Sequence, residues 1–307
     1  MTPRLLLLDS ASLYFRAFFG VPDRRTRPGE PPTNAVRGFL DMIATLVERE
    51  RPTDLVACWD DDWRPEFRVS AIPSYKAHRV SEDGGEEVPE DLNVQVPVIV
   101  EVLAALGICR LGVPGYEADD VIGTLVHTRR GSGPIDVVTG DRDLFQLADD
   151  ANSVRILYTA KGGVRDPQIV DQSYLQSAYG VATGQAYADM AVLRGDTSDG
   201  LPGVAGIGEK TAAQLIAQYG TLAGVRAALA DGDPQIKGAR RTRLEEAAAY
   251  LDVAPAVVQV APDAPLPADL DTSLPAAPRD PEALADLVET YGLGSPARRV
   301  VAALARD

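Results

Sequence analysis

Cysteine and histidine are almost absent from this 307-residue chain, which has two of each: Cys58, Cys109, His78 and His127. No Cys/His grouping has the spacing of zinc ligands, which argues against a zinc site. Both cysteines stand in apolar segments and read as small buried hydrophobes in a reducing compartment, without a disulfide. No apolar stretch approaches the ~18–20 residues of a membrane span. The N-terminus, MTPRLLLLDS, carries one Arg and a short apolar run ending in an acid, so it reads as a first strand and not a signal peptide. Phosphate-loop motifs, Ser/His/Asp arrangements and reactive cysteines are missing too. Positive charge is scarce: 30 Lys and Arg against 45 Asp and Glu give −15, which at first sight argues against a polyanionic partner. What remains has the composition of a soluble globular protein, long enough for one large core or two modest ones.

What the chain does have is nine carboxylates in five short segments: Asp9; Asp60; Glu117, Asp119 and Asp120; Asp141 and Asp143; Asp196 and Asp199. Three of these segments begin where an apolar run stops, in RLLLLD, DLVACWD and PIDVVTGDRD. Such runs read as buried strands of a parallel sheet, and ligands bind beyond the carboxyl ends of such strands. The acids then converge on one crevice, where like charges repel unless a cation compensates. Oxygen-only clusters select Mg²⁺ or Mn²⁺, and two ions ~3.5–4 Å apart suit phosphodiester hydrolysis. Local metal also weakens the objection from net charge, as do two basic groups, Lys76, His78 and Arg79 in SYKAHR and Lys237, Arg240, Arg241 and Arg243 in IKGARRTRL.

The order of patterns predicts an α/β fold: a mostly parallel central sheet flanked by helices over 1–165, then a helical subdomain over 166–307. Residues 35–51 predict a helix with Asn34 or Thr33 as N-cap. Residues 61–95 lack a core period, and a loop that long inside a domain is usually functional. GYEADDVIG predicts a helix starting at its acids, a placement the helix dipole favours by itself. In LPGVAGIGEKTAAQLIAQYG, Gly203, Gly206 and Gly208 predict a tight turn between helices at about 200–220. The following helix offers free N–H groups beside Lys210. That is a helix–hairpin–helix signature, which grips phosphates without reading bases.

In order, LLLLDS, VACWD, FRVSAIPSYKAHR, GYEADDVIG, VVTGDRDLFQL and GDTSDGLPGVAGIGEKTA resemble the 5′-nuclease, or flap endonuclease, family. The likeness is to a stand-alone bacterial 5′-3′ exonuclease, similar to the domain at the N-terminus of DNA polymerase I. It implies that Asp9, Asp60, Glu117 and Asp119 hold one metal ion, and that Asp119 or Asp120, Asp141, Asp143, Asp196 and Asp199 hold a second. It implies that Lys76 and Arg79 stand on a helical arch and contact the scissile phosphate, with Arg16 near Asp9. Tyr75 and Phe15 would stack on an unpaired base, though Phe15 also reads as core. The hairpin, with Arg240 and Arg241 nearby, would hold duplex DNA through a monovalent ion such as K⁺. Two departures stand out: the acidic SEDGGEEVPED, expected to shorten or loosen the arch, and Gly200, where the family often has Asn.

The resemblance implies a cytoplasmic, nucleoid-associated monomer. It would cut DNA at 5′ flaps, nicks, gaps and RNA–DNA primer junctions, in replication and repair. Two rivals stay in view. A small ribonuclease on the same sheet would lack the glycine hairpin, and a non-catalytic junction binder would have lost acids; neither holds here.

Overall fold

A computed structural model of the chain describes residues 3–25, 29–81 and 84–305. The α/β part runs β1 (Leu5–Asp9), α1 (Ser10–Gly20), α2 (Asn34–Glu50), β2 (Asp54–Trp59), α3 (Glu66–Ala71), α4 (Glu90–Asn93) and α5 (Val96–Leu106). It continues through β3 (Cys109–Gly112), α6 (Ala118–Arg129), β4 (Ile135–Thr139), β5 (Val154–Tyr158) and β6 (Gln168–Val170). The helical part is α7 (Gln172–Tyr179), α8 (Gly184–Arg194), α9 (Glu209–Tyr219), α10 (Leu222–Ala230), α11 (Ala239–Glu246) and α12 (Ala248–Val258), with α13 (Pro281–Tyr291) and α14 (Gly294–Leu304) closing the chain.

The strands form one sheet in the order β3-β2-β1-β4-β5-β6, all parallel except β6 against β5. Four consecutive leucines make β1 because both faces of the sheet are covered. Leu5 and Leu7 join Val56 and Cys58 under α6 and α8, while Leu6 and Leu8 join Leu55 and Ala57 under α2, α5 and α14. The strand order reverses between β1 and β4, the place where such sheets open a crevice. Asp9 ends β1, Asp60 follows β2, and Asp141 and Asp143 follow β4, so the expected convergence is built into the backbone.

Three expectations are corrected. The sheet extends past residue 165, because β6 pairs Ile156 with Val170; one strand of three residues leaves no period to read. Helices α13 and α14 do not belong to the helical part: Leu284, Leu293, Val300 and Leu304 pack with Val36, Phe39 and Leu103 in the core beside the sheet. The described residues of 61–95 form no helical arch. They hold the short α3, a turn, a single 3-10 turn at Ala77–Arg79, and a bridge between Val80 and Glu86, before α4. Lys76 sits at φ 48°, so it and Arg79 share no α-helical face. Glu82 and Asp83 of the acidic stretch lie outside the described residues.

The α2 N-terminus falls where the sequence predicts, but neither Thr33 nor Asn34 caps it by side chain. Gln95 does so from α4–α5, its Oε1 accepting from Ala35 N at 2.8 Å, while Asn34 Nδ2 donates to Phe18 O at 2.6 Å.

Candidate active site

Each acid is aimed by local bonds. Asp9 ends a buried strand and caps α1, its Oδ1 accepting from Ser12 N at 3.1 Å and its Oδ2 from the Thr139 hydroxyl at 2.6 Å. Thr139 also accepts from Asp141 N at 2.8 Å, and Ser12 Oγ from Gly140 N at 2.8 Å, so the ends of β1 and β4 are stitched together. Asp60 accepts from Ala118 N at 2.8 Å, which ties the end of β2 to the start of α6. Asp196 accepts from Ser198 N at 2.8 Å and so shapes the turn that carries Asp199.

Asp9, Asp60, Glu117, Asp119 and Asp141 line one cleft of about 440 Å³, with Phe15, Lys76 and Arg79 on its walls. A narrower recess continues it past Asp141 to Asp143 and Asp199. Two cations already reach into it. Lys76 Nζ lies 3.0 Å from Glu117 Oε1, and Arg79 Nη2 lies 2.5 Å from Asp199 Oδ1 and 3.0 Å from Ser198 O. Glu86 and Glu87 join the same wall.

Crowding shows in the acids' proton affinities. Burial pushes Asp9 up to about 7, against the Thr139 bond and with help from Asp60 and Asp141. Burial lifts Asp143 to about 8, reinforced by Asp141, Asp199 and Asp196. Glu117 rises to about 7 through burial, although Lys76 and Arg68 oppose it. Asp60, Asp119 and Asp199 are raised as well, burial being the largest cause for each. Among the described residues no three carboxylates close on a common point, as expected of side chains that repel one another. The donor set is all oxygen, negatively charged and half-enclosed. It fits hard divalent cations, which would take the place of the protons these acids otherwise retain.

Several candidates sit elsewhere. Asp120 is no metal ligand: it is fully buried and both its oxygens go to Arg68, at 2.6 and 2.7 Å. It lies one position from Asp119, and 100° of helix turn points it into the core instead. Tyr75 is buried too, its hydroxyl 2.9 Å from both Glu117 oxygens, so it holds that acid and is not free to stack on a base. Arg16 lies on α1 away from the cleft walls, donating to Ala160 O at 3.4 Å. Phe15 is half-buried, lining the cleft while stacked on Tyr14. The loop of Lys76 is docked on the turn of Asp199 by Ser74 Oγ to Gly200 O, 2.7 Å, and Lys76 N to Asp199 O, 2.9 Å.

In the glycine hairpin the three residues differ. Gly203 has φ 63°, and a Cβ there would meet the Arg194 backbone at 2.5 Å. Gly206 has φ 74° but faces open space. Gly208 is extended, at φ −85°, and faces open space at the N-cap of α9, with Lys210 exposed beside it. Arg240 is exposed, whereas Arg241 is engaged within its own subdomain by Leu229 O at 2.7 Å and Glu245 at 2.9 Å.

A family model described as the 5′-3′ exonuclease N-terminal resolvase-like domain matches residues 4–180, and that of the 5′-3′ exonuclease C-terminal SAM fold matches 182–282. The chain belongs to the 5′-3′ exonuclease family. Among its relatives are a 5′-3′ exonuclease of Streptomyces coelicolor, 58% identical over 97% of this chain and 99% of that one, and one of Mycobacterium tuberculosis, 47% identical over 99% and 98%. DNA polymerase I of M. tuberculosis is 44% identical over 72% of this chain but only 23% of its own length. The fold matches T5 5′-exonuclease with bound zinc ions, with a TM-score of 0.63, 15% identity and coverage of 98% and 99%. It also matches the catalytic core of Rad2 in complex with DNA substrate, at 0.59 and 18%, covering 100% of this chain and 93% of that one.

Sequence reasoning passed over Arg68, Ser12 and Thr139. Arg68 stands inside FRVSAIPSYKAHR, and its signal was a lone Arg in a short helix with no acid three or four positions away to pair with. The two hydroxyls carried no readable signal, because their partners are over 100 residues away.

Proposed function

We propose that this exonuclease hydrolyses DNA phosphodiesters near 5′ single-strand/duplex junctions, as a 5′-3′ exonuclease and flap endonuclease acting in replication, primer removal and repair. The observation that carries the reading is the cleft itself: Asp9, Asp60, Glu117, Asp119, Asp141, Asp143 and Asp199, drawn from five segments, meet there with Lys76 and Arg79 on the wall. The naming of close relatives as 5′-3′ exonucleases supports it, as does the DNA held by the Rad2 core.

In this reading Asp9, Asp60, Glu117 and Asp119 hold one Mg²⁺ or Mn²⁺, and Asp119, Asp141, Asp143 and Asp199 a second, with Asp196 shaping the turn behind. Bound there, divalent ions supply charge that polarises the attacking water and the leaving oxygen. Lys76 and Arg79 then exchange their carboxylate partners for the non-bridging oxygens of the scissile phosphate, donating where charge develops. Tyr75 keeps Glu117 aimed, and Phe15 offers its ring to the base at the cleft wall. Gly206, Gly208, Lys210 and Arg240 take the duplex backbone, with a K⁺ ion at the hairpin. The protein works as a monomer in the cytoplasm, at the nucleoid; among the described residues no helix is long and apolar enough to cross a membrane.

The test is a set of end-labelled flap, nick, gap and RNA–DNA substrates, with Mg²⁺ and Mn²⁺ in turn. Products one nucleotide long or cut at the junction are expected from the 5′ side only. Cleavage in excess chelator, or from the 3′ side, would remove the reading.

A further inference from the structure

One residue of α3 reaches three segments that frame the cleft, and the proposed chemistry does not use it. Arg68 is 2% exposed, the sole buried residue of its helix. Its guanidinium makes a two-pronged pair with Asp120, at 2.6 and 2.7 Å, and lies 3.5 Å from Glu117 Oε2. Its Nε donates to Val257 O at 3.0 Å, at the end of α12, and Nη2 reaches Gln259 O at 3.4 Å. Phe67 and Tyr75 present their rings to it.

Asp120 passes this grip on. Its Oδ2 also accepts from Glu117 N at 3.2 Å, and its Oδ1 from Ala261 N at 2.8 Å. The backbone of Glu117 is therefore hung from Asp120, while its carboxylate is held by Tyr75 and Lys76, in the loop that follows α3. One guanidinium thus fixes the loop over the cleft, the start of the acid helix and the exit of the helical part relative to one another.

We propose that Arg68 is a positioning residue for Glu117, acting through Asp120, and so sets the divalent-ion affinity of the cleft; this rests on the functional reading above. Two observations favour that role over plain stability. A buried ion pair contributes little that an apolar pair of similar volume would not. And every nitrogen of the planar fork donates to a part of the cleft's frame, a geometry an ammonium group lacks. Groups that orient metal ligands typically change metal affinity ~10–100-fold when altered.

The decisive measurement is Mn²⁺ binding without DNA, followed by the resonance signal of free Mn²⁺. Arg68→Lys keeps the charge but loses the fork, and Asp120→Asn keeps the shape but loses the charge. Each folded variant is expected to bind Mn²⁺ ~10-fold or more weakly. At low Mn²⁺ their cleavage should fall, and most of it should return at saturating Mn²⁺, with the Michaelis constant for DNA unchanged. A folded Arg68→Lys with the wild-type isotherm would overturn the proposal. If that variant does not fold, a folded Asp120→Asn with the wild-type isotherm overturns it equally. Failure of both to fold would also do so, by assigning the pair to the core. Absence of Mn²⁺ binding by the wild-type chain would instead sink the functional reading.

Discussion

At Asp9, Glu117 and Asp143, burial acts before any ion arrives. Their folded pKa values, about 7, 7 and 8, lie well above the ~4 of an unfolded chain, so between these limits the folded state holds more protons. Stability contributed by these groups is fully present below about pH 4 and is lost as pH rises through 7 to 8. In chelator, the melting midpoint should therefore fall as pH rises from about 5 to 8, and Mg²⁺ should flatten that slope by replacing the protons. A metal-free midpoint that climbs over this range would contradict the assignment. Removing one acid of the cleft tests the chemistry: Asp143→Ala or Asp141→Ala should lower cleavage ~10³-fold or more, several kcal/mol of barrier, with junction binding nearly intact. Near wild-type single-turnover rates at saturating Mn²⁺ would release that acid from the role. Lys76→Ala and Arg79→Ala should each lower kcat by ~10²–10³ with little change in KM, by analogy with loss of one charge-stabilising donor. An unchanged single-turnover rate with weaker DNA binding would reassign them to positioning.

Elements show where local pattern suffices and where it does not. The strands that lead to Asp9, Asp60 and Asp141 were legible because a doubly covered parallel strand is written as an unbroken apolar run. Asp120 was misread because three acids within four residues look equivalent until the helix phase and a distant Arg68 are known. The loop over the cleft was misread because its shape depends on docking, which no local period records. That docking hinges on Gly200, at φ 72°, where a Cβ would come within 2.1 Å of Ser74 O. Gly200→Ala should push residues 74–76 off the turn and draw Lys76 and Arg79 out of register with Glu117 and Asp199. We expect a single-turnover rate at least ~10-fold lower, since small misplacements at a reacting centre are expensive. Affinity for long duplexes should hold. Unaltered cleavage by the folded variant would mean the loop sets itself without the turn.

Across the whole molecule, a chain of charge −15 must still hold a polyanion, so its exposed cations and N–H groups have to be well placed. The hairpin offers a clean way to separate grip from fold, because its glycines differ in what they need. Gly203→Ala should destabilise the chain, its Cβ lying 2.5 Å from the Arg194 backbone. Gly208 needs neither positive φ nor space, so Gly208→Val should leave the melting midpoint within a degree or two while placing a branched side chain at the α9 N-terminus. If a phosphate docks there, affinity for a substrate with a long downstream duplex should fall ~10-fold, or ~1.4 kcal/mol. Substrates too short to reach the hairpin should bind and be cut as before. The salt dependence of long-duplex binding should also shrink, since fewer counterions are released. Affinity measured for both lengths across a salt series decides the matter: equal loss on long and short duplexes, or no loss on either, would leave the hairpin as a structural turn and move the DNA path to another face.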